Sequence, residues 1–206
     1  MGEFPHLKCE GKNVTEVQQM KLVGFVLDSK LTWAAMIERV CKKARMRLGA
    51  LYRLSWVLTP QIMTMMYYAF VRSTMEYGCL VYMGAKKTHL KKLDMVQRKA
   101  ERICKRTVAG LGKRRAAAAY GFACKLLDGK GRGELQQFVP QVVVNKKSGK
   151  IGLESLRTAD STAYFDDSLA GQLDLIFAQL PQDLLCEGLK DGWTGTMKKG
   201  QRLLIK

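Results

Sequence analysis

Apolar residues recur at every third or fourth position in three stretches of the first half of the chain, a spacing typical of amphipathic helices. In the first stretch this spacing predicts a helix over residues 33–54, with Thr32 as the N-cap because a threonine oxygen accepts from free amides at a helix start. Basic residues occupy the opposite side, and Arg47 stands at the border. The predicted buried stripe consists of Trp33, Ile37, Val40, Cys41, Ala44, Leu48 and Leu51.

A second helix is predicted to begin at Thr59 and Pro60, since threonine caps a helix and proline fits its first position. Gly78 marks its C-terminal end. The apolar face carries almost no charge before Arg72, which predicts a buried helix. This face comprises Ile62, Met63, Met66, Tyr67, Phe70 and Val71.

A third helix is predicted over residues 88–105, with lysines and arginines over most of its outer surface. The residues expected to face inward are Leu90, Leu93, Val96, Ala100 and Ile103.

The segment before these helices has the pattern of β structure. A strand is expected at residues 7–9, a turn at 10–13 and a second strand at 21–27, in which Gly24 marks a place where another backbone approaches. Residues 28–30 end this strand.

The second half of the chain gives weaker signals. Residues 110–112 form a predicted hinge, and an alanine-rich helix is expected over residues 114–127. The glycines of residues 128–133 indicate a loop, and a phosphate-binding loop is less favoured because the Gly-Lys-Ser/Thr spacing is missing. Irregular or strand-like structure is expected over 139–157, and two short helices near 168–180 and 181–189.

The charge changes this picture, because it is both large and local. The chain of 206 residues has a formal net charge of +17. Residues 30–115 contain 20 lysines and arginines but four acidic residues, an excess of 16. Such a concentrated positive field favours a polyanion as partner, either nucleic acid or an anionic membrane surface, and nucleic acid fits it best. The alternative is a solvated basic face that keeps the protein soluble.

Other classes of function find little support. The six cysteines and two histidines are scattered, so the sequence indicates no zinc site and no disulfide scaffold, and most cysteines are expected in the core. The start of the chain lacks the features of a secretion signal, and the most apolar stretch, residues 62–71, is too short to span a bilayer. We therefore expect a soluble protein of the nucleus or cytoplasm, without a membrane partner.

Several short segments, in this order and spacing, resemble the end of the palm and the thumb of reverse transcriptases from non-LTR, jockey-like retrotransposons. The chain departs from that pattern at Leu22, where the family has tyrosine, and at Tyr82 and Phe177, where it has tryptophan. The matching segments are Val23-Gly24-Phe25-Val26-Leu27-Asp28, Leu31-Thr32-Trp33, Lys43-Ala44-Arg45, Leu48-Gly49-Ala50-Leu51, Tyr68-Ala69-Phe70-Val71-Arg72-Ser73, Glu76-Tyr77-Gly78, Leu93-Asp94-Met95-Val96-Gln97-Arg98-Lys99-Ala100, Cys124-Lys125-Leu126-Leu127-Asp128-Gly129 and Leu180-Pro181.

The resemblance implies a mainly α fold: a small β-hairpin from the palm end, then a thumb-like helical bundle and a mixed, partly irregular C-terminal region. The expected domains are residues 1–30, 31–110 and 111–206. In this family, palm carboxylates hold Mg²⁺ for polymerisation. We expect no catalytic residue, metal or cofactor in this chain, and Mg²⁺ only in an intact parent enzyme. The motif Tyr164-Phe165-Asp166-Asp167 resembles the catalytic turn, but it follows the thumb and lacks flanking strands, so a helix-capping role is preferred.

The predicted role is therefore to bind RNA and DNA as a template–primer duplex, because rows of cations hold phosphates without reading sequence. The missing palm and fingers are further expected partners. The resemblance puts Gly24 close to the primer end. The alternative is a non-enzymatic basic helical module that binds a protein, or an element remnant reused by its host. The predicted nucleic-acid-binding residues are Arg39, Lys42, Lys43, Arg53, Lys91, Lys92, Arg98, Lys99 and Arg102.

Overall fold

The computed structural model describes residues 8–13, 15–130, 142–144, 151–153 and 169–205. Within these ranges the strands form three antiparallel two-stranded sheets: β1 (Lys8–Cys9) with β2 (Lys12–Asn13), β3 (Gln19–Leu22) with β4 (Phe25–Asp28), and β5 (Val142–Val144) with β6 (Ile151–Leu153). The helices are α1 (Ala34–Arg53), α2 (Pro60–Met66), α3 (Ser73–Glu76), α4 (Lys87–Cys104), α5 (Leu111–Leu127), α6 (Leu169–Ala178), α7 (Gln182–Asp191) and α8 (Trp193–Ile205), with a π-helical turn (Tyr67–Arg72) between α2 and α3. The prediction of a mainly α fold, with a small hairpin followed by helices, is confirmed.

The strand predicted over residues 21–27 is a hairpin instead. Strand β3 pairs with β4 so that Leu22 lies opposite Phe25, and Val23 and Gly24 form the turn. Both turn residues have positive φ, 46° and 86°. A two-residue turn with this geometry matches the twist of the strands on either side. The chain therefore reverses direction at Gly24, where a continuous strand was expected.

A second tight turn, at Glu10 and Gly11, joins β1 to β2, and its φ values of 50° and 76° are again positive. The predicted turn over residues 10–13 was therefore too long, because Lys12 and Asn13 already pair with the preceding strand. Residue 7 and the motif at 164–167 lie outside the described residues.

Helix α1 starts one residue later than predicted, and Asp28 organises its entry. The Asp28 carboxylate accepts hydrogen bonds from the Thr32 amide and hydroxyl, both 2.8 Å, and from the Trp33 amide at 3.0 Å. The N-cap position is Trp33, at φ 61°, and its side chain makes no capping bond. Burial raises the pKa of Asp28, but these hydrogen bonds outweigh it and leave that pKa below its usual value. The prediction of Thr32 as the N-cap was wrong, because Trp33 occupies that position, although the Thr32 hydroxyl accepts from the Ala34 amide at 3.4 Å.

The first hydrophobic core lies between α1, the π-helical turn and α4. The predicted stripe of α1 is confirmed, with Trp33 half-buried at its start, and Met36 belongs to it as well. Leu93, Val96 and Ala100 of α4 are buried against it, as predicted. The face predicted for the second helix was too broad, because Ile62 and Phe70 are 44% and 56% exposed. The start of α2 is as expected, with Thr59 Oγ1 accepting from the Ile62 amide and proline in the first turn.

A second core joins Met83 to α5, α6, α7 and the first residue of α8. Helix α5 begins at Leu111 rather than Arg114, so two of the three residues of the predicted hinge are helical. Helix α8 was not predicted. It packs closely on α5, since a Cβ on Gly121 would lie 2.2 Å from the Gln201 amide nitrogen, and one on Gly200 would lie 2.2 Å from the Tyr120 ring.

A half-buried carboxylate, Glu76, joins the helices of the first core to α5. Arg72 Nε donates to Glu76 Oε1 at 2.7 Å, and Arg114 donates to both carboxylate oxygens, through Nη2 at 3.0 Å and through Nε. Arg72 Nη2 also donates to the Ala109 carbonyl at 3.2 Å, in the segment that leads into α5. Burial raises the pKa of Glu76, but the bonds from Arg114 and Arg72 outweigh it and hold that pKa below its usual value.

We expect Glu76→Gln to lower the free energy of unfolding by about 3 kcal/mol at pH 7, because the Arg72 guanidinium would stay buried without its countercharge. Since the folded-state pKa of Glu76 is lowered, its contribution is complete above the unfolded value of about 4.3 and falls away as pH drops through the folded value. Urea unfolding at pH 7 and at about pH 3 measures both effects.

The matched control is Glu38→Gln, which also breaks ion pairs but on a side chain that is 52% exposed. It should change stability little, because water screens such pairs. Equal losses in the two variants, or a loss for Glu76→Gln that does not shrink in acid, would contradict the assigned role.

Candidate nucleic-acid interface

Helix α1 forms a ridge with a groove along each flank. The buried stripe fixes its inner side, so at 100° per residue Lys42 and Arg53 point away from the core, and both are exposed. The first groove is lined by Gly24, Met36, Arg39, Val40, Lys43, Arg47, Ser73, Thr74 and Tyr77. The second groove, between α1 and α4, is lined by Leu48, Gly49, Tyr52, Met95, Arg98, Lys99, Arg102 and Ile103.

The first groove, about 380 Å³ in volume, holds a row of three cations. Arg39, Lys43 and Arg47 are four residues apart, which places them on one flank of α1. The π-helical turn and α3 hold the last of them in place: Arg47 Nη1 donates to the Phe70 carbonyl at 2.6 Å and to the Thr74 hydroxyl. The groove therefore has a fixed guanidinium at one end of its row and two exposed cations along it.

The β3–β4 hairpin is attached beside this groove by aromatic contacts. The rings of Phe25 and Tyr77 stack with centroids 5.6 Å apart, and the Tyr77 hydroxyl donates to the Val23 carbonyl at 3.3 Å. These contacts bring Gly24 to the groove. The neighbour of Gly24 is the Tyr77 side chain, 3.8 Å from a Cβ built there, and not another backbone as the sequence suggested.

The second groove, about 770 Å³ in volume, combines cations with apolar side chains. Arg98, Lys99 and Arg102 of α4 supply its positive charge. Tyr52 and Met95 line it with exposed fractions of 61% and 62%. Its chemistry therefore differs from that of the first groove.

Six of the ten predicted site residues line one of the two grooves: Gly24, Arg39 and Lys43 in the first, and Arg98, Lys99 and Arg102 in the second. Lys42 and Arg53 lie on the outer side of α1, and Lys91 is exposed but lines neither groove. Lys92 donates to Glu38 at 2.9 Å, so it is engaged in an ion pair. The role of all ten in binding nucleic acid stays a prediction.

The lining residues that were not predicted as site residues include Arg47, Tyr52 and Tyr77. Arg47 follows Lys43 by four positions, which was a usable signal. Tyr52 lies next to the predicted Arg53, and only the position of α4 shows that it faces a groove.

The positive field of both grooves is not neutralised locally. Neither groove is lined by a carboxylate from the described part of the chain. Glu38 is engaged by Lys92 and, at 3.7 Å, by Arg45. The hydrogen bond and charge of Lys92 lower the pKa of Glu38, which keeps it ionised in this ion pair. Such a surface attracts a polyanion.

Metal and thiol chemistry find no support in the described ranges. Among these residues, no group of three histidine, cysteine or acidic side chains is placed to hold a metal ion. Cys41, Cys79, Cys104 and Cys124 are free and buried, which confirms the expected core position for these four. Burial raises the pKa of each thiol. None of the described helices combines the length and apolarity needed to cross a bilayer.

Comparison with known proteins finds similarity to a polymerase of a mobile element. The RNA-directed DNA polymerase from mobile element jockey of Drosophila melanogaster is 28% identical over 107 residues, which cover 49% of this chain. Part of this chain is therefore related to a reverse transcriptase of a non-LTR retrotransposon. The chain matches 11% of the length of that relative. No family model and no solved structure matches the chain.

The attachment of the hairpin can be tested at Gly78, which has a φ of 60°. A Cβ at this position would lie 2.1 Å from the Phe25 ring. We expect Gly78→Ala to cost about 2 kcal/mol of stability, through backbone strain and displacement of the ring, and to release the hairpin. Hydrogen exchange should then quicken in β3 and β4 but not in α4.

Gly49→Ala is the control, because its added methyl meets nothing within 4 Å and it lies inside α1. It should stabilise the protein by up to about 1 kcal/mol through helix propensity. Unchanged hairpin exchange in Gly78→Ala would show that the Phe25–Tyr77 contact does not hold the hairpin.

Proposed function

We propose that this chain is the part of a non-LTR retrotransposon reverse transcriptase that holds the template–primer duplex, with α1 and α4 gripping its phosphates. The relationship to the jockey polymerase supports this assignment. In this proposal the helices act as the thumb and the β3–β4 hairpin as the end of the palm. The carboxylates and Mg²⁺ that catalyse polymerisation would belong to the palm of the parent enzyme.

The observation that carries the proposal is the arrangement of cations around α1. Basic residues line both flanks, Lys42 and Arg53 cover the ridge between them, and no carboxylate of the described residues lines either groove. A duplex carries dense phosphate charge, and each cation that neutralises a phosphate releases a counterion. Contacts of this kind position a duplex without reading its sequence. A polymerase needs this property, because every template must be held and must slide.

The proposal predicts that binding to an RNA–DNA hybrid weakens steeply as salt rises. We expect a variant with four reversed charges, Lys42→Glu, Lys43→Glu, Arg98→Glu and Lys99→Glu, to have a shallower slope of log K against log salt. The magnitude of the slope should fall by about three to four, because each lost phosphate contact lowers it by about 0.9. Fluorescence anisotropy with a labelled hybrid, over roughly 25 to 300 mM salt, measures this slope.

The matched control reverses four exposed cations of α5, α7 and α8: Lys125→Glu, Lys190→Glu, Lys198→Glu and Arg202→Glu. This variant has the same net charge, so a general charge effect would lower its slope equally. We expect it to keep most of the wild-type slope. Binding that does not depend on salt, no binding at low salt, or equal slopes for the two variants would refute the proposal.

A further inference from the structure

The two grooves beside α1 have different linings, although both are basic. The first groove carries its charge on α1 and is bordered by the hydroxyls of Ser73, Thr74 and Tyr77. The second groove has an apolar floor, made by Leu48 of α1 and Ile103 of α4, with cations along one wall. A phosphate backbone can pair with the cations and hydroxyls of the first groove, but it would leave the apolar surface of the second groove without a partner.

The exposed ring of Tyr52 is the feature that sets the second groove apart. The Tyr52 side chain, in the last turn of α1, is 61% exposed, and Met95 of α4, which lines the same groove, is 62% exposed. A flat apolar ring beside a row of cations suits an unpaired nucleotide, whose base stacks on the ring while its phosphate meets Arg or Lys. The bases of a duplex are already stacked on one another and cannot use such a ring.

The three cations of this wall are available to a phosphate. Among the described residues none of the three forms an ion pair, although Asp94 and Glu101 lie near Arg98. Glu101 accepts from Gln97 Nε2 at 3.1 Å and from the Val108 amide at 3.3 Å, and Glu38 accepts from Lys92. The volume of about 770 Å³ lies within the range of clefts that hold small ligands, about 300–1,000 Å³.

We propose that the second groove is a binding site for single-stranded nucleic acid, with one base stacked on Tyr52 and its flanking phosphates on Arg98, Lys99 and Arg102. This inference rests on the proposed function, because it assigns the unpaired part of a nucleic-acid substrate to a separate groove. The duplex is held by the first groove, by the outer side of α1 and by the same cations of α4, whereas the Tyr52 ring is used by the single strand alone.

The test compares two labelled probes at low salt: a single-stranded dodecamer of thymidylate and a blunt RNA–DNA hybrid. Tyr52→Ala should weaken binding of the single strand about tenfold, which is the scale of losing one stacked base, and should change hybrid binding less than twofold. Tyr52→Phe keeps the ring and should bind like the wild type. Met65→Ala, at an equally exposed apolar residue of α2, is the control and should change neither affinity.

An abasic dodecamer separates stacking from charge, because it keeps the phosphates and has no bases. Tyr52→Ala should bind this probe as well as the wild type does. The inference is overturned if Tyr52→Ala weakens both intact probes equally, if it weakens neither, or if Tyr52→Phe loses as much as Tyr52→Ala. A wild-type protein that binds the hybrid but not the single strand refutes the inference alone, whereas one that binds neither probe refutes the proposed function too.

Discussion

The rest of the structure depends on the ion pairs of Glu76, which connect the helices of the first core to α5. The Glu76 carboxylate sits between Arg72, which ends the π-helical turn, and Arg114, in the first turns of α5. Two opposite charges in a partly buried position are tolerated only when hydrogen bonds satisfy them, and here both arginines donate directly. Because Arg72 also reaches the Ala109 carbonyl, the segment between α4 and α5 is fixed by the same cluster. This polar cluster thus joins the first core to α5, which opens the second.

Much of the helical core could be predicted from the sequence because helical periodicity is a local property. The stripe of α1 and the inward residues of α4 follow from spacing alone, and burial agrees with both. The β3–β4 hairpin could not be predicted in this way. Its turn begins with Val23, a residue that disfavours positive φ, and it is held by Tyr77, which lies 54 positions further along the chain.

Helix α8 was missed for a different reason. The glycines that weaken its helical pattern in the sequence are also the residues that allow it to pack closely in the structure. Gly195 and Gly200 weaken a helical pattern, since glycine disfavours helices. The structure uses Gly200 to bring α8 against the Tyr120 ring. The sequence predicted that basic residues lie on the outer side of α1, and Lys42 and Arg53 are exposed there, but the grooves are made by α4 and the π-helical turn. Periodicity within one helix holds no information about such neighbours.

The π-helical turn has a further consequence for the first groove. Within this turn the Phe70 carbonyl accepts hydrogen bonds from two side chains, Arg47 Nη1 at 2.6 Å and the Thr74 hydroxyl at 3.1 Å. A long, flexible arginine loses considerable rotamer freedom when it is immobilised. In this protein that ordering occurs when the chain folds, so an arriving anion meets a guanidinium that is already preorganised.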